Sequence, residues 1–185
     1  KDVLIPRPET ELLVDHIKNN FSNLENVLDL GTGSGCIAIE ISKLFESATI
    51  LGSDVCEKAL KVAKKNNNQS NNKVNFIKSN WFSDIEGQFD LIVSNPPYIP
   101  EGTKLEASTL FEPKVALFSE ETGLKDLKKI ISEAINYLKI NGALILEHGM
   151  GQSSELSSYM KKIGYKNIGT LNDLKDINRF VYGYK

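Results

Sequence analysis

The chain has 185 residues, a length that suits one domain with a full-sized hydrophobic core. Hydrophobic residues make up 41% and charged residues 25%, which is typical of a globular protein and unlike a disordered chain. The net charge of −2 excludes a global positive field that would attract nucleic acid, and it leaves only a local basic patch open.

Cysteine usage and hydropathy exclude further classes. Cys36 and Cys56 form no CxxC pair, and only two histidines accompany them, so we predict no metal site. We interpret both cysteines as reduced packing residues of a cytoplasmic protein. No run approaches the ~18 apolar residues of a membrane span, and no signal peptide is present, so we expect no membrane association.

The first half of the chain alternates between helical and strand patterns. Helices are predicted at 9–21, 35–45 and 56–66, and strands at 26–30, 48–54, 74–79 and 89–94. The polar stretch NNNQSNN, residues 66–72, is rich in turn formers and is predicted to be a loop.

The second half continues the alternation after an irregular segment at 100–120. A long helix is predicted at about 122–139, and its apolar stripe comprises Leu124, Leu127, Ile131, Ala134 and Leu138. A strand at 142–148, a helix at 152–163 and strand-like segments near 165–170 and 179–184 follow.

Alternating strands and helices predict an α/β fold of the Rossmann-like, doubly wound kind, with helices on both faces of a sheet. We predict a sheet of seven strands that is mostly parallel. The last two strands are joined by LNDLKDIN as a hairpin that adds an antiparallel strand at the C-terminus. Because no linker or repeat interrupts the pattern, residues 1–185 are predicted to form a single domain.

The glycine loop, residues 31–35, follows the first strand and precedes a helix. Gly31, Gly33 and Gly35 permit a tight turn and a close approach of a ligand to the backbone. In the dinucleotide fingerprint the third glycine stands one residue later, where the loop seats a pyrophosphate on the helix N-terminus. The observed spacing therefore argues against hydride transfer and favours a phosphate-free nucleoside cofactor such as S-adenosylmethionine.

Two acids and a tryptophan accompany the glycine loop. Asp54 ends the second strand, where a carboxylate can accept hydrogen bonds from both ribose hydroxyls; the alternative is that it caps the next helix. Asp29 is predicted to orient the loop or a ligand ammonium. After the third strand, Asn80 and Trp81 suit the exocyclic amine and the ring of adenine, although a lone tryptophan is also a common core residue.

The fourth strand ends at the NPPY corner, residues 95–98. The Asn95 side-chain oxygen and the Pro96 carbonyl can accept both hydrogens of a planar NH₂ group and so aim its nitrogen at a methyl group. Pro96 and Pro97 fix the corner in advance, and Tyr98 offers a π face to the charge that develops on the nitrogen. A rigid turn without chemistry is the alternative.

These motifs together resemble the class I S-adenosylmethionine-dependent methyltransferases that modify planar nitrogens. VLIPRPETE at 3–11, FEPKVALF at 111–118 and LEHGMGQ at 146–152 narrow the resemblance to the release-factor glutamine methyltransferases, the HemK/PrmC family. The resemblance covers essentially the whole chain. It implies methylation of the glutamine amide in the Gly-Gly-Gln loop of peptide chain release factors.

The resemblance also implies roles for individual residues. The residues that would contact S-adenosylmethionine, and its product S-adenosylhomocysteine, are Gly31, Thr32, Gly33, Ser34, Gly35, Asp54, Trp81 and Asn95. The substrate glutamine would be held by Asn95, Pro96, Pro97 and Tyr98, of which Asn95, Pro96 and Tyr98 are the predicted catalytic residues. The release factor is the expected partner, nucleic acid is not, and the protein is expected to be a monomer.

The sequence leaves alternatives open for the region upstream of the chain, for three individual residues and for the substrate. Family members usually carry a small helical domain upstream, and since the chain starts at Lys1 without a methionine, we expect that domain to be missing here. Arg7 and Thr10 either face the methionine carboxylate or only begin a helix, and Glu112 either orders a lid or is solvated. Methylation of a nucleic-acid amine and nucleotide binding without catalysis are the competing functions, since NPPY alone fits any planar NH₂.

Overall fold

The computed structural model of the protein describes residues 3, 8–70, 73–103 and 116–185. Arg7 and Glu112, for which roles were predicted, lie outside the described residues. Within these ranges the helices are α1 Pro8–Asn20, α2 Cys36–Leu44, α3 Glu57–Gln69, α4 Glu120–Gly123, α5 Lys125–Tyr137 and α6 Ser153–Ile163. The strands are β1 Asn26–Leu30, β2 Thr49–Asp54, β3 Val74–Lys78, β4 Phe89–Ser94, β5 Ile99–Pro100, β6 Phe118–Ser119, β7 Leu138–Glu147, β8 Lys166–Asn172 and β9 Asn178–Tyr184.

The main sheet has seven strands in the order β3-β2-β1-β4-β7-β9-β8. The pairs from β3 to β7 are parallel, whereas β9 runs antiparallel to both β7 and β8. The predicted doubly wound sheet with an antiparallel C-terminal strand is therefore confirmed. The strand order reverses between β1 and β4, and in such sheets ligands bind at the carboxyl edge beside that reversal.

Helices cover both faces of the sheet. On one face, α1, α2 and α3 pack buried side chains such as Leu13, Ile41 and Ala63 against the strands. On the other face, α5 and α6 contribute buried residues such as Leu127 and Met160. Because both faces are covered, β1 and β4 consist almost entirely of buried residues, and this explains why they are readable as apolar runs. No helix among the described residues is long and apolar enough to cross a membrane.

The sequence-based boundary at the end of α3 was wrong. Residues 66–69 were predicted to be loop, but they continue the helix to Gln69. Side chains from this turn make long-range hydrogen bonds that a local pattern cannot reveal: Asn67 pairs with both backbone groups of Val74 at 3.3 Å. Asn66 Nδ2 donates to the Ser34 carbonyl of the glycine loop at 2.9 Å. Tertiary contacts thus override the low helix propensity of asparagine.

Two further boundaries differ from the prediction around the segment before α5. The helix predicted from 122 begins at Lys125, because Glu121 and Thr122 have left-handed φ values of 53° and 58°. The segment predicted to be irregular, residues 100–120, takes part in a short parallel pairing with the residue before it, in which Ile99 N donates to Leu117 O at 2.9 Å. This pairing brings the chain back beside the NPPY corner.

Strand β2 runs so close to its neighbour that Gly52 has no room for a side chain. A Cβ at Gly52 would lie 2.7 Å from ring carbons of Phe76 and 3.0 Å from Thr32 Oγ1. We expect Gly52→Ala to lower the free energy of unfolding by about 1–3 kcal/mol, measured by urea denaturation, because the core must be overpacked to accept it.

Ser53→Ala is the matched control for this substitution in the same strand. The buried Ser53 hydroxyl has no hydrogen-bond partner among the described residues, so its removal leaves no new unsatisfied group. We expect an unchanged or higher free energy of unfolding. Equal stability of Gly52→Ala and the unmodified chain would contradict the packing at β2.

Candidate active site

The carboxyl edge of the sheet surrounds a main cavity of about 340 Å³. Its walls come from the loops that follow β1, β2, β3 and β4, together with the start of α1 and of α5. The lining residues that carry polar side chains are Thr10, Thr32, Ser34, Cys36, Asp54, Cys56, Ser79, Asn80, Trp81, Asn95 and Asp126. A concave site at this edge is the expected place for a ligand in a doubly wound sheet.

Most of the predicted cofactor residues meet at this cavity. Gly31 through Ser34 line it, as do Asp54, Trp81 and Asn95. Gly35 is buried behind the loop and precedes α2 with a left-handed φ of 79°; a Cβ at this position would lie 3.1 Å from Ala63 Cβ. Only glycine adopts this conformation without strain, so Gly35 shapes the loop from behind.

Asp54 ties the glycine loop to the start of α3. Its Oδ2 accepts a hydrogen bond from Gly33 N at 2.9 Å, and its Oδ1 accepts one from Cys56 N at 2.8 Å. The bond from Cys56 N, the residue before the first turn of α3, ties Asp54 to the start of that helix without capping its first turn, and Asp54 also lines the cavity. Because each carboxylate oxygen has a second lone pair, the side chain can still accept hydrogen bonds from two hydroxyls of a ligand.

Asp29 supports the loop from below and does not line the cavity. Its Oδ2 accepts hydrogen bonds from Thr32 Oγ1 at 2.6 Å and from Ala38 N at 3.2 Å, while Oδ1 has no partner among the described residues. Burial raises the pKa of Asp29 to about 7; the bonds from Thr32 and Ala38 oppose the rise and the charge of Asp54 adds to it. Of the two predicted roles, orientation of the loop is the one that these contacts support.

Trp81 forms one wall of the cavity beside the glycine loop. Its indole lies against Gly31, since a Cβ at that glycine would be 3.5 Å from Trp81 Cζ3. The indole Nε1 donates to Asp126 Oδ1 at 3.2 Å, and Ser119 Oγ donates to Asp126 Oδ2 at 2.7 Å. Sequence reasoning missed Asp126, because an acid in the first turn of a helix only signals a favourable helix dipole.

The NPPY corner is divided between two cavities. Asn95, Pro96 and Pro97 line the main cavity. Tyr98 instead lines a shallower outer cavity of about 440 Å³, and its hydroxyl donates to Glu147 Oε1 at 3.0 Å. The predicted contact of the Tyr98 ring with a substrate nitrogen stays a prediction. Just before the corner, Ser94 Oγ donates to Leu30 O at 2.7 Å, which joins the ends of β4 and β1.

The sequence matches known methyltransferases over nearly its full length. A family model described as "Methyltransferase small domain" matches residues 8–112. A release factor glutamine methyltransferase of Buchnera aphidicola subsp. Baizongia pistaciae is 40% identical over 187 aligned positions, which cover 98% of this chain and 68% of the relative. The chain belongs to the release factor glutamine methyltransferase family.

Other relatives agree with this assignment. A release factor glutamine methyltransferase of Shewanella oneidensis is also 40% identical and is matched over 97% of this chain and 65% of its own length. A "Bifunctional methyltransferase" of Rickettsia prowazekii is 40% identical, with 98% of this chain and 40% of the relative covered. The chain thus spans about two thirds of the length of the relatives that share the family name.

Solved methyltransferases share the fold at low sequence identity. A methyltransferase of Pyrococcus furiosus superposes with a TM-score of 0.75 at 20% identity, covering 99% of this chain and 85% of the other. RsmC of T. thermophilus, a 16S rRNA methyltransferase solved in complex with AdoMet and guanosine, superposes with a TM-score of 0.73 at 17% identity, covering 98% and 44%. The architecture of this family member is that of class I methyltransferases.

The buried Asp29 carboxyl makes the stability of the protein pH-dependent. Its folded-state pKa of about 7 lies above the ordinary value of 3.8, so the native state binds more protons than the unfolded chain between those values. This contribution to the free energy of unfolding is fully present below the unfolded pKa and is lost as the pH rises through about 7. Asp29→Asn keeps an acceptor for Thr32 and Ala38 but cannot titrate. We expect the free energy of unfolding of this variant, measured by urea denaturation at a series of pH values, to decrease less steeply as the pH rises.

Asp84→Asn, a change of an exposed carboxylate, is the control and should keep the unmodified pH profile. An identical profile in Asp29→Asn and the unmodified chain would show that Asp29 does not titrate in this window.

Proposed function

We propose that this protein transfers a methyl group from S-adenosylmethionine to the side-chain amide of the glutamine in the Gly-Gly-Gln motif of peptide chain release factors. The observation that carries the proposal is the shared cavity of the acid-anchored glycine loop and Asn95–Pro97. Relatives at about 40% identity that are named for this activity support the choice of substrate.

The charges of the main cavity favour a cationic, phosphate-free cofactor. None of the described residues that line it is basic, whereas Asp54 and Asp126 are both acidic. The Gly33 N–H, which a phosphate-binding loop would offer to its ligand, is already bonded to Asp54. A pyrophosphate would meet carboxylates without a compensating cation, while the sulfonium and ammonium groups of S-adenosylmethionine would be attracted.

The residues of the cavity suit the parts of this cofactor. Asp54, which lines the cavity, would accept hydrogen bonds from the ribose hydroxyls, and the Trp81 indole beside Gly31 would be an apolar wall for adenine. Thr10, which is 7% exposed and lines the cavity, is a candidate donor to the methionine carboxylate. When bound, the cofactor supplies an electrophilic methyl group.

The NPPY corner would hold the acceptor amide. Asn95 Oδ1 and the Pro96 carbonyl accept its two N–H groups, and the nitrogen is thereby aimed into the main cavity. An amide nitrogen is a weak nucleophile, so its orientation contributes most of what the protein can offer, on the order of 7–11 kcal/mol at best. The methylated nitrogen becomes strongly acidic, and therefore no side-chain base has to act before the methyl group moves.

The charge of the protein supports a protein substrate. A nucleic-acid substrate would have to bind against a formal net charge of −2, without the global positive field that such binding uses.

Cys36 and Cys56 are free thiols, which fits the reducing cytoplasm.

The proposal is tested by transfer of a labelled methyl group to three acceptors. We expect label on a purified release factor, none above background on its variant with the Gly-Gly-Gln glutamine changed to alanine, and none on bulk nucleic acid. Mass spectrometry of the labelled peptide should place the methyl group on the glutamine. Label on nucleic acid, with none on the release factor, would contradict the proposal.

Two substitutions should separate cofactor binding from methyl transfer. Asn95→Ala removes an acceptor for the amide, and we expect kcat to fall about 100-fold or more while the Kd for S-adenosylhomocysteine changes little. Trp81→Ala removes the wall for adenine and should make the binding free energy of S-adenosylhomocysteine less favourable by about 1–3 kcal/mol. Calorimetric titration and initial rates at saturating cofactor measure the two effects. Equal losses of kcat and affinity in both variants would remove this division of roles.

A further inference from the structure

The NPPY corner is fixed from outside the main cavity by the carboxamide of Gln152. This side chain, at the start of α6, accepts a hydrogen bond at Oε1 from Gly149 N at 2.8 Å. Its Nε2 donates to the Tyr98 carbonyl at 3.1 Å and to the Thr122 carbonyl at 3.2 Å. Both amide hydrogens are thus used to join two chain segments that are distant in sequence.

One of these segments has an unusual backbone. Glu121, Thr122 and Gly123 have consecutive left-handed φ values of 53°, 58° and 84°. Such a conformation is costly for residues other than glycine and persists only where surrounding contacts hold it. Here a Cβ at Gly123 would overlap the Tyr98 carbonyl, so the turn is pressed directly against the NPPY corner.

The same part of the chain also reaches Trp81, which forms another wall of the main cavity. We name residues 117–126 the bracing segment. At one end Leu117 O accepts from Ile99 N, immediately after the NPPY corner. At the other end Asp126 accepts the Trp81 indole N–H. The bracing segment therefore contacts both the NPPY corner and the tryptophan wall, and Gln152 joins it to the corner midway.

We propose that Gln152 is a positioning residue for methyl transfer: its carboxamide fixes the Tyr98 carbonyl against the bracing segment and thereby sets the direction in which Asn95 and Pro96 present their acceptors. Gln152 lines the outer cavity and not the main cavity, so it acts through the corner. This inference rests on the proposed function for its activity readout.

Gln152→Glu is the sharpest test because it keeps the size of the side chain. The glutamate can still accept from Gly149 N, but it places a carboxylate oxygen against the Tyr98 and Thr122 carbonyls, where a donor is needed. We expect kcat to fall about 10- to 100-fold, since small misplacements of an acceptor have effects of this size. The Kd for S-adenosylhomocysteine should stay within about twofold, because no cofactor contact is removed.

Glu155→Gln is the matched control in the same helix and the same outer cavity. The Glu155 carboxylate pairs with Lys128 at 2.8 Å and is largely exposed, so it does not hold the corner. Its kcat should remain within about twofold of the unmodified chain, as expected for an exposed ion pair.

The pH dependence gives a readout that a general loss of stability would not move. A protonated glutamate at position 152 can donate one hydrogen bond, and the two facing carbonyl oxygens favour that protonated form, so the ratio of its kcat to that of the unmodified chain should rise as the pH falls towards the pKa of the introduced carboxyl. Gln152→Ala, which has no donor at any pH, should show a constant ratio.

An observation without turnover separates this inference from the proposed function. In the ¹⁵N spectrum of the full chain, the Asn95 side-chain amide signal, assigned by its loss in Asn95→Asp, should shift in Gln152→Glu and stay unchanged in Glu155→Gln. An unchanged Asn95 signal in Gln152→Glu would overturn the positioning role, as would a kcat equal to that of the unmodified chain. Failure of the unmodified chain to methylate a release factor would instead count against the proposed function.

Discussion

The carboxylate of Asp54 is the interaction on which the rest of the site depends. By accepting the Gly33 and Cys56 N–H groups, it joins the loop after β1 to the loop after β2 and fixes the floor of the main cavity. The first of these bonds occupies the Gly33 N–H, which a phosphate would need as a donor, and it places the negative charge of Asp54 beside the glycine loop. This carboxylate thus shapes the cavity and, together with Asp126, gives it an acidic lining.

Around this floor, the cavity is closed by elements that are remote in sequence. Trp81 follows β3, Asn95 follows β4, and Asp126 lies at the start of α5. Parallel strands bring the first two to the same edge, since their carboxyl ends meet there. The bracing segment then contacts the tryptophan and the NPPY corner together, so the two parts of the cavity that would hold cofactor and acceptor share one support.

Much of this architecture was predictable because the relevant signals are local. Strands β1 and β4 are buried on both faces and stand in the sequence as apolar runs, and the predicted bounds of both were confirmed. The glycine loop and the NPPY corner can be recognised in the sequence because glycine permits left-handed φ values and proline fixes φ. Their position at one edge followed from the parallel topology.

The parts that escaped prediction depend on contacts between distant residues. Asn67 extends α3 by bonding Val74 across a loop, and asparagine by itself favours a turn. Asp126 carries no local pattern that distinguishes it from an ordinary helix-start acid, and the LEHGMGQ motif does not reveal which groups Gln152 bonds. The bonds of Asp126 to Trp81 and of Gln152 to Tyr98 are visible only in the structure. Side-chain hydrogen bonds of this range are the component that sequence periodicity does not contain.

A crystal structure of the protein with S-adenosylhomocysteine and a Gly-Gly-Gln peptide would test whether the cofactor and the acceptor amide share the main cavity. We predict adenine against Trp81 and the glutamine carboxamide nitrogen about 2.7–3.2 Å from both Asn95 Oδ1 and the Pro96 carbonyl oxygen. A glutamine side chain bound outside the main cavity, or one whose amide hydrogens meet neither acceptor, would contradict it.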